Sequence, residues 1–205
     1  MMLSDRPDTA WCVIDGVAVG LDIAADRYFR LDEAQNAQFL ANASPEWLDR
    51  PHQPVSFPLP DDWERPQTRS AAIDDGSFRL GDVARSIWMQ HRIERRLATR
   101  SFAQVLSEAR DTIGCRTAKD IVQSKQAQRD IRAFQHARLL RTAADRCLPR
   151  SIALALCLAR HGCRVHVVLG VKLAPFAAHC WAQNRGEVLN DELEEVRRYT
   201  PILVL

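Results

Sequence analysis

The sequence predicts an α+β fold in two parts, a small strand-rich module followed by a helical domain that closes on an antiparallel sheet. Three observations predict it. Short β runs fill the first forty residues, prolines crowd positions 44–67, and an apolar helix pattern near residue 150 leads into strand patterns. The boundaries that follow are 1–80, for the module with its proline-rich connector, and 81–205 for the second domain.

In "WCVIDGVAVGLDI" two β runs flank Gly16, and "RYFRLD" supplies a third. Asp32 follows as a helix N-cap, ahead of an apolar stripe formed by Ala34, Ala37, Leu40 and Ala41. Three short strands and one helix bury little surface alone, so the module reads as a binding element rather than a catalyst. The next stretch, "SPEWLDRPHQPVSFPLPDDWERPQ", holds Pro45, Pro51, Pro54, Pro58, Pro60 and Pro66. Each fixes φ and removes a backbone donor, which predicts an extended connector. From Val83 to Arg146 the pattern is helical. Val83, Ile87, Trp88 and Met89 gather on a first helix, Gly114 ends a second, and an arginine-rich amphipathic stretch follows. Its basic face is either a solvated surface or a patch that steers an acidic partner.

Composition narrows the function classes. The 205 residues carry a net charge of +2, so overall charge gives a nucleic-acid role no support. No basic stretch followed by an apolar run opens the chain, and the longest apolar run, Ile152 to Ala159, is too short to span a bilayer. The expected location is the cytoplasm, with no membrane partner. There the six cysteines stay reduced. Cys12, Cys115, Cys157 and Cys163 read as buried structural thiols.

Cys147 stands apart. Pro149 belongs in a first helical turn, which puts Cys147 at the N-terminus of a helix running to about His161, with Gly162 as the stop. "SIALALCLA" is apolar on every side, so the helix is buried, and its positive dipole end and unpaired N–H groups favour thiolate. Core filler and metal ligand are the other roles open to the residue. After Gly162, "CRVHVVLGVKL" and "FAAHCWAQ" read as strands. A three-residue hairpin loop at Asn184-Arg185-Gly186, with glycine in the left-handed third position, would set Gln183 opposite Glu187 and His179 opposite Asp191. Such a pair holds an imidazole in one tautomer, ready to take a proton from a thiol. The alternatives are a satisfied core histidine and an aspartate that ends a strand. Cys157 and His161 share a helix face, with Cys163, His166 and His179 nearby in sequence, but no standard zinc spacing is present and no metal is expected.

"RCLPRSIALALCLARHG", "VVLGV", "PFAAHCWAQ" and "GEVLND", in this order, resemble the leader peptidase of lasso-peptide biosynthesis, the B protein. That family belongs to the transglutaminase-like, papain-related cysteine hydrolases. The resemblance implies a winged-helix-like peptide-recognition element of three strands plus helices, fused to a transglutaminase-like domain whose catalytic helix packs on an antiparallel sheet. It makes Cys147 the nucleophile, His179 the general base and acid, and Asp191 the orienting carboxylate. It implies cleavage between leader and core of a ribosomally made precursor, with the core passed to an asparagine-synthetase-like, ATP-dependent cyclase. Leader capture would fall to Tyr28, Phe29 and Leu31, which strand alternation equally allows as core residues. No G-x-x-x-x-G-K-[ST] loop is present, so no bound cofactor is expected, and the ATP dependence implied by the resemblance would enter through the cyclase. A transglutaminase-like acyl transferase and a catalytically inactive leader-binding module are the alternatives.

Overall fold

Two sheets organise the chain in this computed structural model, which describes residues 8–43, 50–73, 78–114, 121, 124–140 and 146–205. Pro45, Cys115 and positions 118–120, 122–123 and 141–145 of the arginine-rich stretch lie outside the described residues. The first sheet has the antiparallel order β1-β2-β3, from Thr9–Ile14, Val17–Asp22 and Arg27–Arg30. Asp15 and Gly16, with φ of 49° and 76°, turn β1 into β2 with the backbone twist that two-residue hairpins favour. Helix α1, Glu33–Asn42, is capped by Asp32, whose side chain accepts from the Gln35 N–H at 2.8 Å.

The stripe expected on α1 is corrected. Ala34, Ala37 and Ala41 are exposed, and the helix instead buries Phe39 against Trp11, ring centroids 5.1 Å apart. Asn36 secures the same face, accepting from the Ala18 N–H at 2.8 Å and donating to the Gly16 carbonyl at 2.9 Å. One aromatic ring carries far more apolar area than three methyl groups, so it decides which face turns inward.

The second sheet has the order β4-β7-β6-β5-β8. Its strands are Thr68–Arg69, His166–Leu173, Phe176–Asn184, Glu187–Val188 and Thr200–Val204, numbered β4 to β8 in chain order. The pairs are antiparallel except at the edge, where the two residues of β4 run parallel to β7. Helix α5 (Cys147–Arg160) packs on this sheet, α2 (Leu80–Thr99), α3 (Phe102–Gly114) and α4 (Lys125–Leu140) gather on α5, and a short α6 (Leu193–Val196) precedes β8. On α2 the buried residues are Val83, Ser86, Met89, Gln90 and Ile93. Trp88 does not join them; it is exposed, with the Arg92 guanidinium 4.9 Å above its ring. Five residues beyond Val83 is about 140° around a helix of 3.6 residues per turn, which carries the indole to the solvent side.

Helix α5 lies at the centre. Ile152, Leu154 and Leu158 are fully buried, each stabilising the fold by about 1.5–3 kcal/mol relative to an exposed side chain. They share one core with Val167 and Leu169 of β5 and with Ala10, Cys12, Val19 and Leu21 of the first sheet. Gly162, with φ of 79°, ends the helix in the left-handed conformation.

The hairpin register differs from expectation. Gln183 pairs with Val188 and Asn184 with Glu187, so the loop is the two residues Arg185 and Gly186. Arg185, not the glycine, takes the positive φ of 49°. Gly186 is required for another reason: a Cβ there would lie 3.1 Å from the Arg65 carbonyl, where the connector runs alongside. This register carries residues 179 and 191 out of the cross-strand position expected for them. The chain leaves the ladder after the Leu189 N–H bonds the Ala182 carbonyl at 2.9 Å, and Asp191 approaches β6 from outside the sheet.

Candidate active site

Cys147 is the first residue of α5, so the orphan N–H groups of the first turn surround its sulfur. The Leu148 N–H and the Cys180 N–H of β6 bond it, and so does the His179 ring. Burial alone would raise the thiol pKa. The hydrogen bond and charge of His179 and those two backbone donors outweigh burial and set it below its ordinary value.

His179 sits in mid-β6, opposite Gly170 of β5. A Cβ on Gly170 would stand 2.9 Å from the Trp181 ring and 3.0 Å from Tyr199 Cβ, so only glycine lets these aromatics close in. Tyr199 and Trp181 rings flank the imidazole, with centroids 5.0 Å and 6.2 Å away, and fix its plane. Nε2 meets Asp191 Oδ2 at 2.8 Å, which leaves Nδ1 for the sulfur. Burial alone would lower the His179 pKa, but hydrogen bonds and charges from Asp191 and Cys147 push it up to about 9. Both shifts favour a thiolate–imidazolium pair over thiol and neutral imidazole.

Asp191 is buried. Burial would raise its pKa, yet His179, the Glu192 N–H at 2.9 Å and Arg138 at 3.2 Å hold it below the usual carboxylate range. Behind it a polar chain fixes helix to strand. Asn190 accepts from the Ala182 N–H at 2.8 Å and donates to Ser151 Oγ at 2.9 Å, and Ser151 donates to the Cys180 carbonyl at 3.0 Å. Ser151 stands one turn after Cys147, so this network sets the nucleophile against β6.

The structure therefore brings Cys147, His179 and Asp191 together, although by a different route from the register expected. Sequence reasoning missed Ser151, Asn190 and Arg138. Ser151, four positions after Cys147 and so on the same helix face, opens the apolar run that follows Arg150, a signal available in the sequence. Arg138 and Asn190 carried none. Tyr28 is half-buried on the main core, whereas Phe29 and Leu31 turn to the Trp11–Phe39 cluster beneath α1.

A second set of the same residue types occupies the other end of α5. Asp130 of α4, 2% exposed, lies 2.7 Å from His161 Nε2 and 3.3 Å from Cys157 Sγ through one oxygen. Its other oxygen meets Arg85 at 2.6 Å and Gln126 at 3.2 Å. All three ligand atoms lie within 4.8 Å of one another, close enough to share an ion. Cys163 and His166 do not join them: Cys163 is buried elsewhere in the core, and His166 bonds Asp62 at 3.2 Å. Burial first, and Asp130 after it, push the Cys157 thiol up to about 12, and burial does the same for Cys12. Neither is a nucleophile at neutral pH.

A profile of the family described as the transglutaminase-like superfamily matches residues 89–204, a span that contains both cysteine clusters. No curated protein and no solved structure matches the chain.

Proposed function

The chain belongs to the transglutaminase-like superfamily, and from that premise we propose that it is a cysteine endopeptidase that removes the leader from a ribosomally made lasso-peptide precursor. The observation that carries the chemical part is the Cys147–His179–Asp191 constellation at a buried helix N-terminus. The resemblance of "RCLPRSIALALCLARHG", "PFAAHCWAQ" and "GEVLND" to the lasso B proteins supplies the substrate.

The thiolate of Cys147 attacks the carbonyl carbon between leader and core, and the C=O pair moves onto oxygen. As the intermediate collapses, the imidazolium of His179 gives its proton to the departing core amine and the C–N bond breaks. A leader thioester remains on Cys147. Water attacks it, His179 takes the water proton, and the leader leaves with a free carboxylate while sulfur returns to thiolate. Asp191 keeps the ring aimed throughout, and His179, the Glu192 N–H and Arg138 together keep that carboxylate ionised. The core, with its new amino terminus, passes to an asparagine-synthetase-like cyclase that spends ATP on closing the macrolactam.

The test is incubation of the protein with its cognate precursor and cyclase, followed by mass spectrometry for free leader. Wild type releases it and Cys147→Ala does not; release by the variant at the wild-type rate would end the reading. Adding a primary amine separates hydrolysis from acyl transfer, because a transferase yields leader amide rather than leader acid.

A further inference from the structure

The proton that His179 gives to the leaving amine fixes which half of the substrate lies beside it. That amine belongs to the core side of the cut, so the residues following the cut begin against the imidazole. Whatever shares that face of the sheet meets them first.

Lys172 of β5 shares it. It stands opposite Ala177, two residues from Gly170, the partner of His179. Strand alternation puts Lys172, Gly170, Ala177 and His179 on one face. Lys172 and His179 are diagonal neighbours across the ladder, about 7–8 Å apart and within reach of a long side chain. Tyr199 sets the direction of that side chain. The Lys172 ammonium lies 4.9 Å from the centroid of the Tyr199 ring, and the same ring lies 5.0 Å from the imidazole. A single aromatic ring separates the cation from His179.

The carboxylates nearest His179 in the site are already matched. Asp191 is held by His179 and Arg138, and Glu192 pairs with Arg69 at 2.9 Å. Lys172 has no carboxylate partner among the described residues, and its ammonium rests on the face of Tyr199. That contact steadies a half-buried side chain and leaves N–H donors open on the side turned from the ring.

Resting on the reading of Cys147 as nucleophile, we propose that Lys172 selects an acidic side chain on the core side of the scissile bond. Its ammonium pairs with an Asp or Glu carboxylate of the substrate and holds the departing chain against His179 as the C–N bond breaks. Lys172 sets specificity and takes no part in proton transfer.

The experiment uses the full chain and two esters, 3-carboxy-4-nitrophenyl acetate and its methyl ester. Each acetylates Cys147 as the C–S bond forms and the coloured nitrophenolate leaves. Only the first carries a carboxylate, and it carries it on the leaving group. Their rates with free cysteine give the intrinsic ratio. Against that ratio, the wild type should favour the carboxylate ester about two- to fivefold, the range of a solvent-accessible ion pair. The preference should vanish in 1 M salt, where charges are screened beyond about 3 Å. Lys172→Gln should return the ratio to that of free cysteine, and Lys172→Glu should push it lower. A wild-type ratio equal to that of free cysteine overturns the inference. So does a preference that survives Lys172→Gln, including the case in which both esters slow equally. Cys147→Ala tells this failure from failure of the enzyme reading. Nitrophenolate release that survives Cys147→Ala removes the nucleophile itself, whereas release lost there, with no charge preference in the wild type, removes the role of Lys172 alone.

Discussion

The two ends of α5 carry the same three residue types in opposite chemical states. At the N-terminus, Cys147 has two backbone N–H groups and an imidazole on its sulfur, and its pKa falls. At the C-terminal end, Cys157 has the Asp130 carboxyl on its sulfur, and its pKa rises to about 12. The histidines differ as well. His179 stands between sulfur and carboxylate, whereas at the second cluster Asp130 stands between Cys157 and His161, so the imidazole never relays a proton from the thiol. Order within the trio and position on the helix dipole decide which sulfur becomes a nucleophile. A list of residue types does not.

Exchanging the two carboxyls for amides tests that difference most severely. Asp191→Asn should lower turnover by about 10²–10⁴-fold, because the amide imposes the wrong imidazole tautomer, and should lower the melting temperature as well, because the ionised carboxylate stabilises the fold. Asp130→Asn should leave turnover within about threefold of wild type, yet cost about 1–3 kcal/mol in chemical denaturation by weakening its bonds to Arg85 and His161. The lower part of that range applies if solvent screens Arg85, which is half exposed. If the two variants exchange phenotypes, the assignment of the active cluster is reversed.

Reactivity against pH sharpens the same contrast. Cys147 should be alkylated by iodoacetamide below its ordinary pKa of 9, because its thiol is lowered, while Cys157 should stay silent until the protein unfolds. Turnover should fall at acid pH as the thiolate gains a proton, and fall again near pH 9 as His179 loses the proton it gives to the leaving amine. Stability follows a separate rule. The depressed pKa of Asp191 contributes stability that is present above its ordinary 3.8 and lost as pH falls through the folded value, so melting temperatures should drop on the acid side. A turnover profile that keeps rising past pH 10 would mean His179 does not act as the acid.

The smallest expected effect lies one turn along the helix. Ser151→Ala removes the bridge between Asn190 and the Cys180 carbonyl, leaves two buried polar groups short of a partner, and should cost about 1–3 kcal/mol. Turnover should drop several-fold as Cys147 loses its fixed setting against β6, and the matching change at the other end, Gln126→Ala, should alter stability alone.

Much of this could be read in advance where a signal is local. Pro149, Gly162 and the apolar run between them fix α5 and put Cys147 at its start. The Asp32 cap and the Asp15–Gly16 turn fix α1 and the first hairpin. Face assignments failed where side-chain size or angle mattered: Phe39 displaced the three alanines on α1, and Trp88 fell outside the buried arc of α2. The hairpin register failed because Arg185 accepted the left-handed conformation and because Gly186 answers to the Arg65 carbonyl, a residue more than a hundred positions away. His179 and Asp191 nevertheless meet, since the chain leaves the ladder after Leu189 and the carboxylate is carried in from the side.

The sequence by itself determined the helix that carries Cys147, the strand that carries His179 and the division into strand-rich and helical parts, because capping, proline and alternation act between near neighbours. Only the tertiary structure decided which cysteine is the acidic one and that Ser151 and Asn190 lock helix to strand. Those outcomes depend on burial and on charges brought together from distant positions, and electrostatic energies in a buried site follow distance in space rather than separation along the chain.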